Sequence, residues 1–171
     1  MMHALETRLE RLEAESAVRR LVARYFRICD DLGPHTPFGE LAELFTVDAI
    51  WEGKGRYKGA FGIYNGRDAI VDMIRSYCEP PHFSMTAHFL SSEDIQVDGP
   101  CAKGSWSMLQ TSTYADGRAD LRSAALQIEC IHDRERWRIR HFETRNIFSR
   151  RVSFWNDEIA IPTPFLFGDG Q

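Results

Sequence analysis

An aspartate standing where a core residue belongs is the first chemical signal in this chain. Val18, Val22, Phe26 and Asp30 recur at four-residue spacing, so they share one face of a helix that is apolar until its last member. A carboxylate aimed at the core is costly unless a partner or a water-accessible cavity receives it. His88, in a much later segment of strand character, supplies an imidazole that would answer it. An ordinary histidine pKa of about 6.5 suits proton removal at neutral pH, and a neighbouring carboxylate would fix the tautomer and stabilise the imidazolium. The pair reads as a general base at the bottom of a pocket, set against the plainer reading of a buried structural His–Asp pair.

Other residues belong to the same hypothesis. Trp137, Ile139, His141, Glu143 and Arg145 alternate, and a two-residue period would put all five on one strand face, apolar first and ionisable later. A strand that changes character in this way reads as core running into pocket. Arg145 is then expected to bind a carboxylate or carbonyl oxygen, or to stabilise a developing enolate. The alternative is a salt bridge to Glu143. His141 is expected either to act as acid toward a leaving hydroxyl or to be a hydrogen-bonded core histidine. Tyr25 is read as an acid or orienting group, or as helix core. Trp51, Tyr57, Phe83, Trp106 and Tyr114 are candidates for an aromatic pocket lining.

No metal or cofactor is expected. His82 and His88 lie about 20 Å apart by strand rise, and His141 with Glu143 adds no local ligand triad. Gly53, Gly55, Gly59, Gly62 and Gly66 match neither a Walker A loop nor the dinucleotide-binding glycine pattern. There is no serine elbow and no cysteine nucleophile beside a base.

The positioning elements follow from periodicity. A helix is expected over 4–29, with a highly charged first third carrying only Leu5, Leu9 and Leu12 in its stripe, which suits packing on a neighbouring subunit. Gly33-Pro34 stops it. A short helix over 38–45, a strand over 48–52, a glycine-broken loop and hairpin, and a helix over 67–78 capped by Asn65 come next. Four long strands are expected over 83–97, 101–114, 120–132 and 136–149, joined by short turns into an antiparallel meander. Helices first and curved sheet afterwards gives an α+β domain with helices on one sheet face. The apolar tail 159–167 is expected to cover a cavity mouth or a subunit boundary.

The 171 residues suit a single domain over 1–171, ending in an apolar tail over 151–171. Lys+Arg at 21 against Asp+Glu at 25 gives a net charge of −4, with no basic clustering, so no nucleic-acid partner is expected. No basic N-terminal segment leads into an apolar run, and no apolar stretch is long enough to span a bilayer. Cys29, Cys78, Cys101 and Cys130 read as reduced, buried thiols of a cytoplasmic protein.

Over residues 5–150 the chain resembles the SnoaL-like branch of the nuclear transport factor 2-like superfamily. That branch includes scytalone dehydratase, hexachlorocyclohexane dehydrochlorinase and, nearest in motif, bacterial bile acid 7-alpha-dehydratase. The resemblance rests on the acidic-leucine helix running into Arg24-Tyr25-Phe26-Arg27-Ile28-Cys29-Asp30, a Ser-Met segment before His88, and Trp137 through Arg145. It implies a cone-shaped α+β fold and a dyad of Asp30 with His88, with Tyr25 and Arg145 at further functional positions. An early-hairpin tyrosine of some relatives has no clean counterpart, Tyr57 and Trp51 standing nearby. The expected activity is a cofactor-independent lyase, eliminating after carbon deprotonation, on an apolar cyclic or aromatic small molecule. Isomerase, polyketide cyclase and retro-aldol lyase chemistries remain open in the same pocket. So does a non-catalytic dioxygenase small-subunit-like or ligand-binding role. A homodimer or homotrimer is expected.

Overall fold

A computed structural model describes residues 2–153 and Trp155. The elements are α1 (Met2–Asp30), α2 (Phe38–Glu43), β1 (Phe45–Lys54), α3 (Tyr57–Phe61), β2 (Ile63–Asn65), α4 (Arg67–Arg75), β3 (Phe83–Asp98), β4 (Cys101–Tyr114), β5 (Ala119–His132) and β6 (Trp137–Val152). One sheet of order β2-β1-β6-β5-β4-β3 holds all the strands among the described residues. β3 to β6 form the expected antiparallel meander, whereas β1 joins β6 in parallel. The helices pack on one face of this curved, mostly antiparallel sheet, an α+β arrangement.

The amphipathic stripe of α1 divides in two. Val18, Val22 and Phe26 are buried in the core, while Leu5, Leu9 and Leu12 are more than half exposed. Glu93 of β3 ties the packed half down, accepting from Arg19 at 2.7 Å and from the Trp106 indole at 3.1 Å. The apolar tail over 159–167 lies outside the described residues.

The glycine-broken stretch, read as loop and hairpin, contains the helix α3. A Cβ on Gly53 would stand 2.5 Å from the Tyr57 carbonyl oxygen, so glycine alone lets α3 fold back this closely on β1. Asn65 does not cap α4. It is still paired with Ile50 in β2, and Gly66, at φ +93°, makes the turn and takes the cap position. α4 ends at Arg75, one turn before the expected 78.

The largest departure from simple alternation is in β6. Cys130 pairs with Ile139 but Glu129 pairs with His141, so Arg140 is an extra residue, a β-bulge. Beyond it the inward set changes phase, from Ile139 to Phe142 and Thr144. His141, Glu143 and Arg145 therefore face away from the helices.

Three of the four thiols are buried, and Cys101 is exposed, contrary to the reading of all four as interior. Burial pushes Cys29 and Cys130 up to about 12, so both stay protonated and unreactive. Native protein treated with iodoacetamide at mildly alkaline pH is expected to carry the label on Cys101 alone, as read by peptide mass spectrometry.

Candidate active site

Asp30 closes the last turn of α1, where the negative end of the helix dipole disfavours a carboxylate. β3 supplies the compensation. The backbone N–H of His88 donates to Asp30 Oδ1 at 3.1 Å, and His88 Nδ1 lies 2.5 Å from the same oxygen. With the carboxylate as acceptor, Nδ1 carries the proton and Nε2 is left with its lone pair. Nε2 makes no hydrogen bond among the described residues. The His88 side chain is only 12% exposed and leans on the Phe26 ring at 5.0 Å between centroids. Two contacts from one strand residue thus hold the acid, and the acid holds the imidazole.

His88 lines a cavity between the helices and the inner sheet face, with about 160 Å³ of free space. Cavities of about 150 Å³ take a benzene ring. Asp30 sits behind the imidazole rather than in the cavity wall. Tyr25, Phe26, Trp51, Tyr57, Phe61 and Phe142 make one side strongly aromatic. Trp51 stacks on Phe142 at 5.5 Å and donates its indole N–H to the Tyr25 hydroxyl at 3.1 Å. Burial raises Tyr25 well above the ordinary tyrosine range, so its hydroxyl keeps its proton.

The structure brings His88, Tyr25, Trp51, Tyr57, Phe83 and Tyr114 to this one cavity, with Asp30 bonded behind them. It places three candidates elsewhere. Arg145 is 62% exposed on the outer sheet face, beside Glu143 at 3.5 Å. His141, on the same face, pairs with Glu52 at 2.8 Å. The bulge at Arg140 accounts for both, because it ends the alternation that would have aimed them inward. Trp106 is core: its ring folds over Gly104, where a Cβ would stand 2.2 Å from it, so no space for a ligand remains there.

Arg122, Gln110 and Thr86 line the cavity although sequence reasoning did not select them. Arg122 did carry a signal. Ala124, Leu126, Ile128 and Cys130 are buried at two-residue spacing, and Arg122 continues that series. Desolvation is the largest single influence and opposes its charge, but the hydrogen bond to Asp120 together with the attraction of Tyr114, Asp120 and Tyr57 outweighs it and holds the guanidinium above its ordinary value. Among the described residues no group of three His, Cys, Asp or Glu side chains is placed to hold a metal ion, and no helix is long and apolar enough to cross a membrane.

Helices set on a curved, mostly antiparallel sheet define the cone of the nuclear transport factor 2-like class. The chain belongs to the SnoaL-like domain family, whose model matches residues 10–143. Among solved structures it is similar to hexachlorocyclohexane dehydrochlorinase LinA-type3 from Novosphingobium barchaimii, at 18% identity and TM-score 0.71 over 91% of this chain and 99% of that one. It is also similar to a Novosphingobium aromaticivorans protein assigned as a scytalone dehydratase, at 19% identity and TM-score 0.69 over 90% and 95% of the two chains. A third, from the same species and assigned as an aromatic ring hydroxylase, shares 17% identity with TM-score 0.71 over 82% and 94%. At such identities the likeness is one of fold. A sequence search of curated proteins finds no match.

Proposed function

We propose that the protein is a cofactor-independent lyase that eliminates water from a small, apolar, cyclic substrate. The observation that carries this reading is the 2.5 Å contact between His88 Nδ1 and Asp30, made by a histidine that also lines an aromatic cavity. Nε2 removes a proton from carbon, the C–H electron pair becomes the new double bond, and hydroxyl leaves the adjacent carbon. The imidazolium is a stronger acid than the Tyr25 hydroxyl, whose proton burial retains. His88 therefore returns the proton to the departing oxygen, with Tyr25 orienting it, and water leaves from the face on which the base acted. The free volume favours a substrate of one ring. The family and its dehydratase- and dehydrochlorinase-named neighbours support this general class of activity.

The test is turnover of ring compounds bearing a hydroxyl one carbon from an acidic C–H, followed by the rise in absorbance of the new conjugated double bond or by release of product. A His88→Ala protein with undiminished turnover would exclude the mechanism. Double-bond isomerisation, cyclisation and retro-aldol cleavage use the same first step and are distinguished by product analysis.

Self-association belongs to the same proposal. Leu5, Leu9 and Leu12 form an exposed stripe at 59%, 57% and 60% on the first turns of α1. A homodimer or homotrimer would cover it. Leu9→Glu is expected to shift the protein toward monomer in light scattering while leaving the body folded, and an unchanged mass would remove the stripe from the interface.

A further inference from the structure

Two polar rows cross the inner sheet face, Thr86, Ser112 and Asp120 in one and His88, Gln110 and Arg122 in the other. His88 of β3 pairs with Gln110 of β4, and Gln110 pairs in turn with Arg122 of β5. The imidazole and the guanidinium thus stand on one cross-strand row, two strand spacings or about 10 Å apart at the backbone. The next row inward, Leu90, Met108 and Ala124, is apolar.

Arg122 is held by its strand neighbours. Its Nε donates to Asp120 Oδ2 at 2.8 Å and Nη2 lies 2.7 Å from the same oxygen. Nη2 also donates to the Tyr114 hydroxyl, which donates to Asp120 Oδ2 at 2.8 Å. Nη1 makes no hydrogen bond among the described residues, and Asp120 Oδ1 is buried without a partner. Gln110 makes no hydrogen bond to Arg122 among the described residues; its amide N–H groups go to Thr86 and Ser112. A rigidly oriented guanidinium with donors to spare, in the wall of an aromatic cavity, is suited to an oxygen from outside the protein.

We propose that Arg122 anchors the carbonyl oxygen of a single-ring substrate whose opposite edge meets His88, with Asp120 and Tyr114 positioning the guanidinium. This rests on the reading of His88 as the base. Asp120 offsets part of the Arg122 charge in the resting protein, so the site holds a neutral oxygen loosely and grips it harder once it is an oxyanion, as a phenolate already is. It favours a neutral oxygen that gains negative charge as the proton leaves, the condition under which an interaction accelerates a step rather than merely tightening binding. The substrate class is therefore a cyclic ketone, whose carbonyl oxygen takes up the charge as an enolate when the neighbouring carbon loses its proton, rather than a bare hydrocarbon or halocarbon.

Two probes separate the anchor from the rest of the cavity. Nitrobenzene fills a ring-sized space without an ionisable oxygen, and para-nitrophenolate adds the charge that a substrate oxygen would develop. Wild-type protein is expected to bind para-nitrophenolate at least about tenfold more tightly than nitrobenzene. Arg122→Gln is expected to lose that preference while keeping its nitrobenzene affinity within about twofold, which also reports an intact cavity. Arg122→Lys, which leaves Asp120 a cation but removes the planar fork, gives the same readout if the glutamine variant does not fold. His88→Ala is expected to retain the preference. Equal affinity of wild type for the two probes, or a preference that survives in Arg122→Gln and Arg122→Lys, overturns the anchor. A preference lost in His88→Ala but not in Arg122→Gln assigns the oxygen to the imidazole and overturns it as well. The base reading fails on a different result, undiminished turnover by His88→Ala, so the two claims fall separately.

Discussion

His88→Ala is expected to lower turnover by about two to four orders of magnitude, the usual contribution of a positioned general base. His82 also lines the cavity, packed on Tyr77 and Tyr114, but no carboxylate among the described residues holds its imidazole as Asp30 holds that of His88. Tyr25 is held in its protonated form by burial, and Arg122 has no basic electron pair to offer. Asp30→Asn tests the same unit from behind. The amide fits the space of the carboxylate and still offers an oxygen to the His88 backbone N–H, so the fold survives. What disappears is the charge that stabilises the imidazolium and the certainty that Nδ1 is the protonated nitrogen. A loss of up to about 10⁴-fold in kcat is expected, with KM little changed, because the carboxylate does not line the cavity. Thermal unfolding of Asp30→Asn beside the wild type separates this from general damage.

Gly53→Ala has the largest expected effect on stability. The added methyl would meet the Tyr57 carbonyl at 2.5 Å and its carbonyl carbon at 2.8 Å. Neither is the free end of a flexible side chain, so α3 must move away from β1. Overpacking of this kind costs about 1–3 kcal/mol, or a fall in Tm of roughly 2–4 °C per kcal/mol for a chain of this size. Because α3 carries Tyr57 and Phe61 into the cavity wall, affinity for a ring ligand should fall with stability. Gly59→Ala is the control. It lies in α3 with nothing within 4 Å of its Cβ position, and alanine there is expected to be neutral or mildly stabilising.

The two partners of the dyad were legible for a simple reason. α1 keeps a strict helical period through its packed half, so a charge at the end of the Val18–Phe26 stripe stands out. The meander was legible because Asp98-Gly99-Pro100 and Asp116-Gly117 punctuate strands of strong β character. The misplacement of Arg145 and His141 has an equally physical origin. Alternation predicts a face only while the ladder is regular, and the extra residue at Arg140 has no mark in composition that separates it from its neighbours. Arg122 shows the converse. It continues an unbroken alternation, but an arginine in phase with a core series is easily passed over in favour of one near a family motif. α3 was hidden because Gly53, Gly55 and Gly59 read as loop, when the approach of its backbone to β1 is what requires glycine at position 53.

Histidine-selective NMR of the ring nitrogens tests the arrangement most directly. His88 should show a protonated Nδ1 with a strongly deshielded proton that vanishes in Asp30→Asn, and an unprotonated Nε2 whose resonance moves when nitrobenzene is added. A proton on Nε2 with a bare Nδ1, or an Nε2 signal indifferent to a ring compound that binds the protein, would contradict the account.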